Sequence, residues 1–128
     1  MKLSTFLSIV AVLALLFGIG LIAVPAETLA PYGIPVERYT AFMARFFGEE
    51  LIAVGSILWL ARKTTDPVAR RALVVAGMIS DLIAFVIALQ AQLSGLVNAL
   101  GWSTVLLYAL FTIVFACYLF APDRSGRT

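Results

Sequence analysis

The chain has 128 residues, of which 62% are hydrophobic and only 12% are charged, and its mean hydropathy is +1.05. Soluble globular proteins are roughly 45–50% apolar and about 25% charged. A soluble domain this small could not bury so much apolar surface, because small domains bury the smallest fraction of their chain. The composition therefore predicts an integral membrane protein with the lipid bilayer as its solvent. The net charge of +2 is too small to indicate nucleic-acid binding, and we expect no nucleic-acid partner.

Missing residue types exclude several kinds of catalysis. The chain has no histidine, which excludes histidine acid–base catalysis, Ser-His-Asp triads and histidine-ligated metals. The single cysteine, Cys117, cannot form an intramolecular disulfide or a cysteine-rich metal site. Its apolar neighbours predict a small buried hydrophobic residue. Because no nucleophile is visible beside a base, we expect no enzymatic activity, no cofactor and no metal site.

Four apolar stretches are each close to the roughly 20 residues that a membrane-spanning helix needs. The first stretch resembles a signal peptide, but it is longer than the usual apolar core of about 7–15 residues. We therefore interpret it as a retained helix. The predicted fold is all-α, a single integral membrane four-helix bundle over residues 1–128. Its helices are predicted to cover about 3–24, 36–62, 67–93 and 100–121.

The connections between these stretches carry local signals. The residues Pro25, Pro31 and Pro35 predict a short ordered turn, with the second helix beginning just after Pro35. Asp66 and Pro67 are predicted to be the N-cap and the first residue of the third helix. Polar residues beyond the middle of the third helix are expected to hydrogen-bond between helices or to end that helix. They are Gln90, Gln92, Ser94 and Asn98.

The basic residues predict the orientation, because cytoplasmic loops collect Lys and Arg. Only Arg38 and Arg45 lie towards the Pro-rich turn. We therefore expect both termini in the cytoplasm and a multi-pass protein of the bacterial inner (cytoplasmic) membrane. The remaining basic residues all fall on the opposite side, and they are Lys2, Arg62, Lys63, Arg70, Arg71, Arg124 and Arg127.

Charged residues inside the predicted spans are the candidate functional residues. Each costs at least about 2.5–3.5 kcal/mol at a helix centre on insertion scales, so such residues are rare and often functional. Arg45 and Glu49 are four residues apart and share one helix face. Glu50 points about 100° away and must find another inner surface, a subunit interface or a proton. Asp81 is expected near the bilayer midplane, where Tyr108 can reach the carboxylates.

Small residues lie beside these charges. Gly48 and Gly55 flank the face of Glu49, while Gly77 and Ala84 share a face with Asp81. Small residues permit membrane helices to approach closely. The pattern therefore predicts that the second and third helices pack directly through these four residues.

The charged cluster has two interpretations. Arg45 with Glu49 and Asp81 can be a buried ionic lock that fixes helix register. Alternatively, the cluster is a ligand, proton or ion site. Three carboxylates with one arginine leave excess negative charge, so we expect at least one carboxyl group to hold a proton near neutral pH.

Three segments carry a resemblance to known proteins. They read FFGEELIAVGSILWLAR at 46–62, DPVARR at 66–71 and QLSGLVNALGW at 92–102. In these segments the chain resembles a group of small bacterial four-helix membrane proteins, similar to the DUF4345 and DoxX-like families. The resemblance extends over most of the chain from Phe17 onward. It implies the four-helix membrane fold but carries no activity, and the group has small apolar or neutral residues at the acidic positions.

Two classes of function remain open. The first is a non-enzymatic membrane component that acts through helix packing with partners, either a second copy or another membrane protein. The second is proton-coupled or cation or small-amphiphile binding or transport by the carboxylate cluster. The candidate ligand- or proton-binding residues are Arg45, Glu49, Glu50, Asp81 and Tyr108.

Overall fold

The computed structural model describes residues 1–120, and over that range all regular structure is helical. The all-α class is therefore confirmed for these residues. Ala121 and the basic residues Arg124 and Arg127 lie outside the described residues. The helices are α1 (Leu3–Ala23), α2 (Pro25–Leu29), α3 (Arg38–Ala61), α4 (Pro67–Leu93) and α5 (Gly101–Phe120), with a 3-10 turn at Ala30–Tyr32.

Within residues 1–120, three helices are long and apolar enough to cross a membrane. These are α1, α4 and α5, and they indicate a membrane protein. Helix α3 has 24 residues and is long enough to cross, but it carries Arg45, Glu49 and Glu50 in its length and is not one of the three. Three of the four predicted spans are thus supported by length and composition.

The chain divides into two compact units, each built around one helix pair. The first unit comprises Met1–Thr64 with Gly95–Leu100, and its principal contact joins α1 to α3. The second comprises Thr65–Ser94 with the segment that begins at Gly101, and its principal contact joins α4 to α5.

The α1–α3 pair is held by small residues at a matched spacing. A Cβ atom on Gly18 would lie 2.7 Å from the carbonyl oxygen of Gly48. A Cβ atom on Gly55 would lie 3.0 Å from the carbonyl oxygen of Ala11. From the first contact to the second, the position moves forward by seven residues on α3 (48 to 55) and back by seven residues on α1 (18 to 11). The two helices are therefore antiparallel and meet along one seam. Backbones approach this closely in membrane helix pairs where glycine removes the side chain.

The α4–α5 pair uses a different fit, in which a ring fills the space left by a glycine. A Cβ atom on Gly77 would lie 2.7 Å from Cε2 of Phe115, and Phe115 is only 1% exposed. The predicted packing of the second helix directly on the third through Gly48, Gly55, Gly77 and Ala84 is therefore wrong for the three glycines. The surfaces of these glycines are already occupied, by α1 for the first two and by α5 for Gly77.

The connections follow the local sequence signals. The Pro-rich segment is ordered as α2 and the 3-10 turn, and Gly33 ends that turn with a φ of 74°. The side chain of Asp66 accepts a hydrogen bond of 2.8 Å from the Ala69 backbone N–H, and Pro67 is the first residue of α4. The predicted N-cap is therefore confirmed. Helix α3 begins at Arg38, slightly later than predicted.

Asn98 joins the two non-basic connections within the first unit. Its side-chain Nδ2 donates a 2.9 Å hydrogen bond to the Pro31 carbonyl oxygen, and its backbone N–H donates to the Tyr32 carbonyl oxygen at 3.1 Å. Its Oδ1 accepts from the Leu100 backbone N–H at 3.0 Å. Asn98 therefore holds the segment between α4 and α5 against the Pro-rich turn. The sequence predicted that Asn98 bonds between helices or ends the third helix, but its partners Pro31 and Tyr32 lie in the 3-10 turn.

Two side chains at the surface of the helices complete the description. The Arg62 guanidinium stacks over the Trp59 ring at 3.6 Å from its centroid and donates a hydrogen bond to the Trp59 carbonyl oxygen at the end of α3.

Cys117 is exposed, so the prediction that it is buried is wrong. Apolar neighbours in sequence did not indicate burial here, because helix faces that lie towards lipid are apolar as well.

Candidate functional site

The contacts between α1 and α3 show which part of α1 lies beside each charged residue of α3. Because Gly18 lies against Gly48, Glu49 is level with Phe17 of α1. Phe17 precedes the end of α1 at Ala23 by six residues, or about 9 Å along the helix. Glu49 therefore lies beside the apolar length of α1 and not beyond its end.

Three charged residues along the middle of α3 lie away from the seam with α1. Arg45, Glu49 and Glu50 are all exposed. At about 100° per residue, Glu49 and Glu50 are turned about 100° and 200° from Gly48. The buried positions of α3 are Ala44, Gly48, Gly55 and Leu58.

We use the name outer face of α3 for the surface formed by Phe42, Arg45, Phe46, Glu49, Glu50, Ala53, Ser56 and Leu60. Phe42 and Phe46 meet edge to face on this surface, with ring centroids 5.2 Å apart. Although Arg45 and Glu49 are one turn apart, the structure of residues 1–120 contains no ion pair between them. The expected pair on a shared face is thus not formed within the chain.

Asp81 occupies a different setting, in the second unit. It is only 9% exposed and lies in the middle of α4, one turn beyond Gly77. The contact of Gly77 with Phe115 places Asp81 level with Phe111 of α5, which is 7% exposed. Asp81 is therefore buried beside α5.

One carboxylate oxygen of Asp81 lacks a hydrogen-bond partner within residues 1–120. Its Oδ2 atom is buried and accepts no hydrogen bond from any residue of 1–120. An unsatisfied buried polar atom costs about 1–3 kcal/mol, and more when it is charged. A native protein tolerates that cost where the group serves a function or receives its partner from outside the chain. Asp81 is therefore the candidate residue for an external hydrogen-bond donor or cation.

Two further positions bear on the same unit. Tyr108 is half-buried on α5, about one turn from the level of Asp81 in the antiparallel register. Gln92, near the end of α4, has a buried Oε1 atom without a hydrogen-bond partner in residues 1–120. The sequence indicated Gln92 only as a polar residue of a helix end. Nothing in the sequence indicates that its side-chain oxygen is buried without a partner, because the burial of a single atom depends on how the helices pack.

The candidate residues belong to both units. Arg45, Glu49 and Glu50 are part of the first unit, and Asp81 and Tyr108 are part of the second. The first group is exposed and mixed in charge, whereas Asp81 is buried and lacks a partner for one oxygen. The two groups are therefore suited to different chemistry, the first to a charged protein surface and the second to a small donor.

Comparison with known proteins gives no match to any family model, curated protein or solved structure.

Proposed function

We propose that this chain is a non-enzymatic, multi-pass component of the bacterial inner membrane that binds a membrane-embedded partner through the outer face of α3. In this proposal α3 is a fourth membrane-spanning helix, and the fold is the four-helix bundle that the sequence resemblance implies. The observation that carries the proposal is the exposure of Glu49 and Glu50 beside the apolar length of α1.

The dimensions of α3 support a spanning role. Its 24 residues extend for about 36 Å, which exceeds the roughly 30 Å hydrocarbon core. Its seam with α1 requires both helices to share the same depth. Since α1 is long and apolar enough to cross, α3 crosses beside it.

The charges of α3 support a partner. Lipid tails offer no hydrogen bonds, and each charged side chain at a helix centre costs at least about 2.5–3.5 kcal/mol. Intramembrane charges accordingly lie against protein or a water-filled cavity. Six of the eight residues on the outer face of α3, including all three charged ones, are exposed, so a partner that covers this face removes the cost.

The orientation follows from the ends of the helices. In the proposed topology the Asp66 connection and the N-terminus are cytoplasmic, because Lys2, Arg62, Lys63, Arg70 and Arg71 lie there. The stacking of Arg62 on Trp59 gives α3 an interfacial anchor at that end.

Site-specific photocrosslinking tests the proposal. We place a benzoylphenylalanine at Phe46 on the outer face of α3 and, as a matched control, at Phe17 of α1. Both positions are exposed phenylalanines, and the register puts them within about one turn in depth. We expect a protein adduct in native membranes from position 46 and none from position 17.

The charge requirement is tested with the same probe. The double substitution Glu49→Gln with Glu50→Gln should abolish the adduct at position 46, whereas Glu37→Gln, at the N-cap of α3, should leave it unchanged. Equal labelling at both probe positions, or an adduct that survives the double substitution, would contradict the proposal.

A second candidate function is binding or proton-coupled transport of a cation or small cationic amphiphile at Asp81, and the unsatisfied Oδ2 atom favours it. Equilibrium dialysis of the purified protein with tetraphenylphosphonium tests the binding step. Binding that is lost in Asp81→Asn and kept in Glu27→Gln would support this candidate. Equal binding by all three proteins would rule out Asp81 as the site.

A further inference from the structure

We infer that the partner of the outer face of α3 is a second copy of this chain, with Arg45 of each copy paired to Glu50 of the other. This inference rests on the proposed function and names its partner. In the pair, the two α3 helices run parallel around a two-fold axis along the membrane normal, as the shared topology of two copies requires.

The spacing of residues on α3 gives this helix two seams. The seam with α1 uses the buried positions 44, 48, 55 and 58, which fit a repeat that steps alternately by four and three residues. A second series with the same steps runs two residues out of phase, about 200° around the helix. This second seam is formed by Phe42, Phe46, Glu49, Ala53, Ser56 and Leu60.

The second seam has the composition of a helix contact. Steps of four and three residues are the repeat by which two helices remain in contact along their length. Phe42 and Phe46 are 52% and 61% exposed, so their rings have surface to bury. Ala53 leaves room at the next contact for two backbones to approach closely.

The charges beside the second seam are complementary to themselves. Arg45 and Glu50 flank Phe46 and Glu49 on opposite sides of the seam and are five residues apart. In a parallel pair of helices, residues at this spacing on the two chains face each other and form interhelical salt bridges. Because of the two-fold axis, the Arg45–Glu50 contact forms twice. The depth difference of about 7.5 Å is within reach of the two long side chains.

Glu49 falls within the second seam, near the axis. A polar position within a largely apolar seam fixes the register and the number of chains at a cost in stability. A face that carried carboxylates alone would need a cationic partner, but Arg45 makes this face suitable for its own copy.

Disulfide crosslinking tests the placement of the second seam. In a Cys117→Ala background, Ala53→Cys lies on the seam, while Ile113→Cys on α5 is an exposed control that is 60% exposed. Oxidation in native membranes should link two copies through position 53 and leave the control monomeric. Equal yields at the two positions, or no linked dimer from position 53, would overturn the inference.

Exchange of charges tests the pairing itself. Arg45→Glu gives a chain with acidic residues at both positions, and Glu50→Arg gives a chain with basic residues at both. Each variant alone should dimerise poorly, but the two together should form mixed dimers in about tenfold excess over the statistical ratio, because like charges in contact are costly. A statistical mixture would overturn the inference.

The outcomes separate this inference from the proposed function. Where charge reversal prevents accumulation in the membrane, the neutral double variant Arg45→Gln with Glu50→Gln replaces it and should lower the position-53 dimer yield about tenfold. If the position-46 probe yields an adduct with a different protein and position 53 yields no dimer, the second copy is excluded while partner binding stands. If neither probe yields a protein adduct, both are overturned.

Discussion

Gly18 and Gly48 meet backbone against backbone in the α1–α3 pair. A Cβ atom on Gly18 would lie 2.7 Å from the Gly48 carbonyl oxygen, and one on Gly48 would lie 2.8 Å from the Gly18 carbonyl oxygen. Neither carbonyl can rotate away as a side chain can, because each belongs to a helical hydrogen-bond ladder. The contact therefore requires glycine in both helices.

The first prediction compares two glycine substitutions in α1. Gly18→Ala should destabilise the α1–α3 pair by about 1–3 kcal/mol, the usual cost of overpacking. Gly20→Ala is the matched control, since its Cβ atom would meet the end of the Thr28 side chain at 2.9 Å, and that side chain can turn aside. Unfolding in increasing dodecyl sulfate measures both variants. Equal stability of the two would show that the backbone contact does not limit packing.

The second prediction concerns the ring of Phe115. Gly77→Ala should destabilise the α4–α5 pair, because the new methyl group would overlap the ring. Phe115→Leu should partly restore Gly77→Ala by making room, so the two changes should be non-additive. Ala76→Leu, at the exposed neighbouring position, should have little effect. Additive losses in thermal unfolding would exclude direct contact between Gly77 and Phe115.

The third prediction concerns the unsatisfied oxygen of Asp81. Asp81→Leu should raise the free energy of unfolding by about 1–3 kcal/mol, because the change removes a buried acceptor without a partner and replaces it with an apolar group. Asp81→Asn keeps polar atoms at the site and should give a smaller gain. Both are compared with wild type by unfolding in detergent. A loss of stability in Asp81→Leu would mean that a bound group satisfies the carboxylate.

The fourth prediction is the topology. In a Cys117→Ala background, an impermeant thiol reagent should label Ala30→Cys from outside intact cells and Thr65→Cys only after permeabilisation. Both positions are exposed and lie in the two oppositely charged connections. Ala30 is preferred to Gly33, whose φ of 74° and contact with Asn98 disfavour any side chain. Labelling in the reverse order would invert the orientation.

Local sequence signals predicted the helix ends well. Asp66 and Pro67 mark the beginning of α4 because a carboxylate can accept the free backbone N–H groups there and proline suits the first turn. The burial of Asp81 followed from the small residues on its face and from the cost of placing a charge towards lipid.

Helix partners could not be predicted in the same way. Gly48, Gly55 and Gly77 indicate close packing, but a glycine carries no information about which helix occupies the space. The partner depends on register, which joins Gly48 to Gly18 and Gly77 to Phe115. The polar atom of Gln92 that lacks a partner was equally unpredictable, because it results from the fit of a whole helix end.

The hydrogen bond from Asn98 to Pro31 can form only late in the synthesis of the chain. Asn98 hydrogen-bonds to Pro31 across 67 residues of sequence, so the turn after α1 is made long before the residue that completes its hydrogen bonds. At about 5–20 residues per second the interval lasts several seconds. During that time α1 and α3 can already lie against each other, while the carbonyl group of Pro31 stays bonded to water. The hydrogen bonds from Asn98 to the Pro-rich turn therefore form only after the chain has turned back from α4.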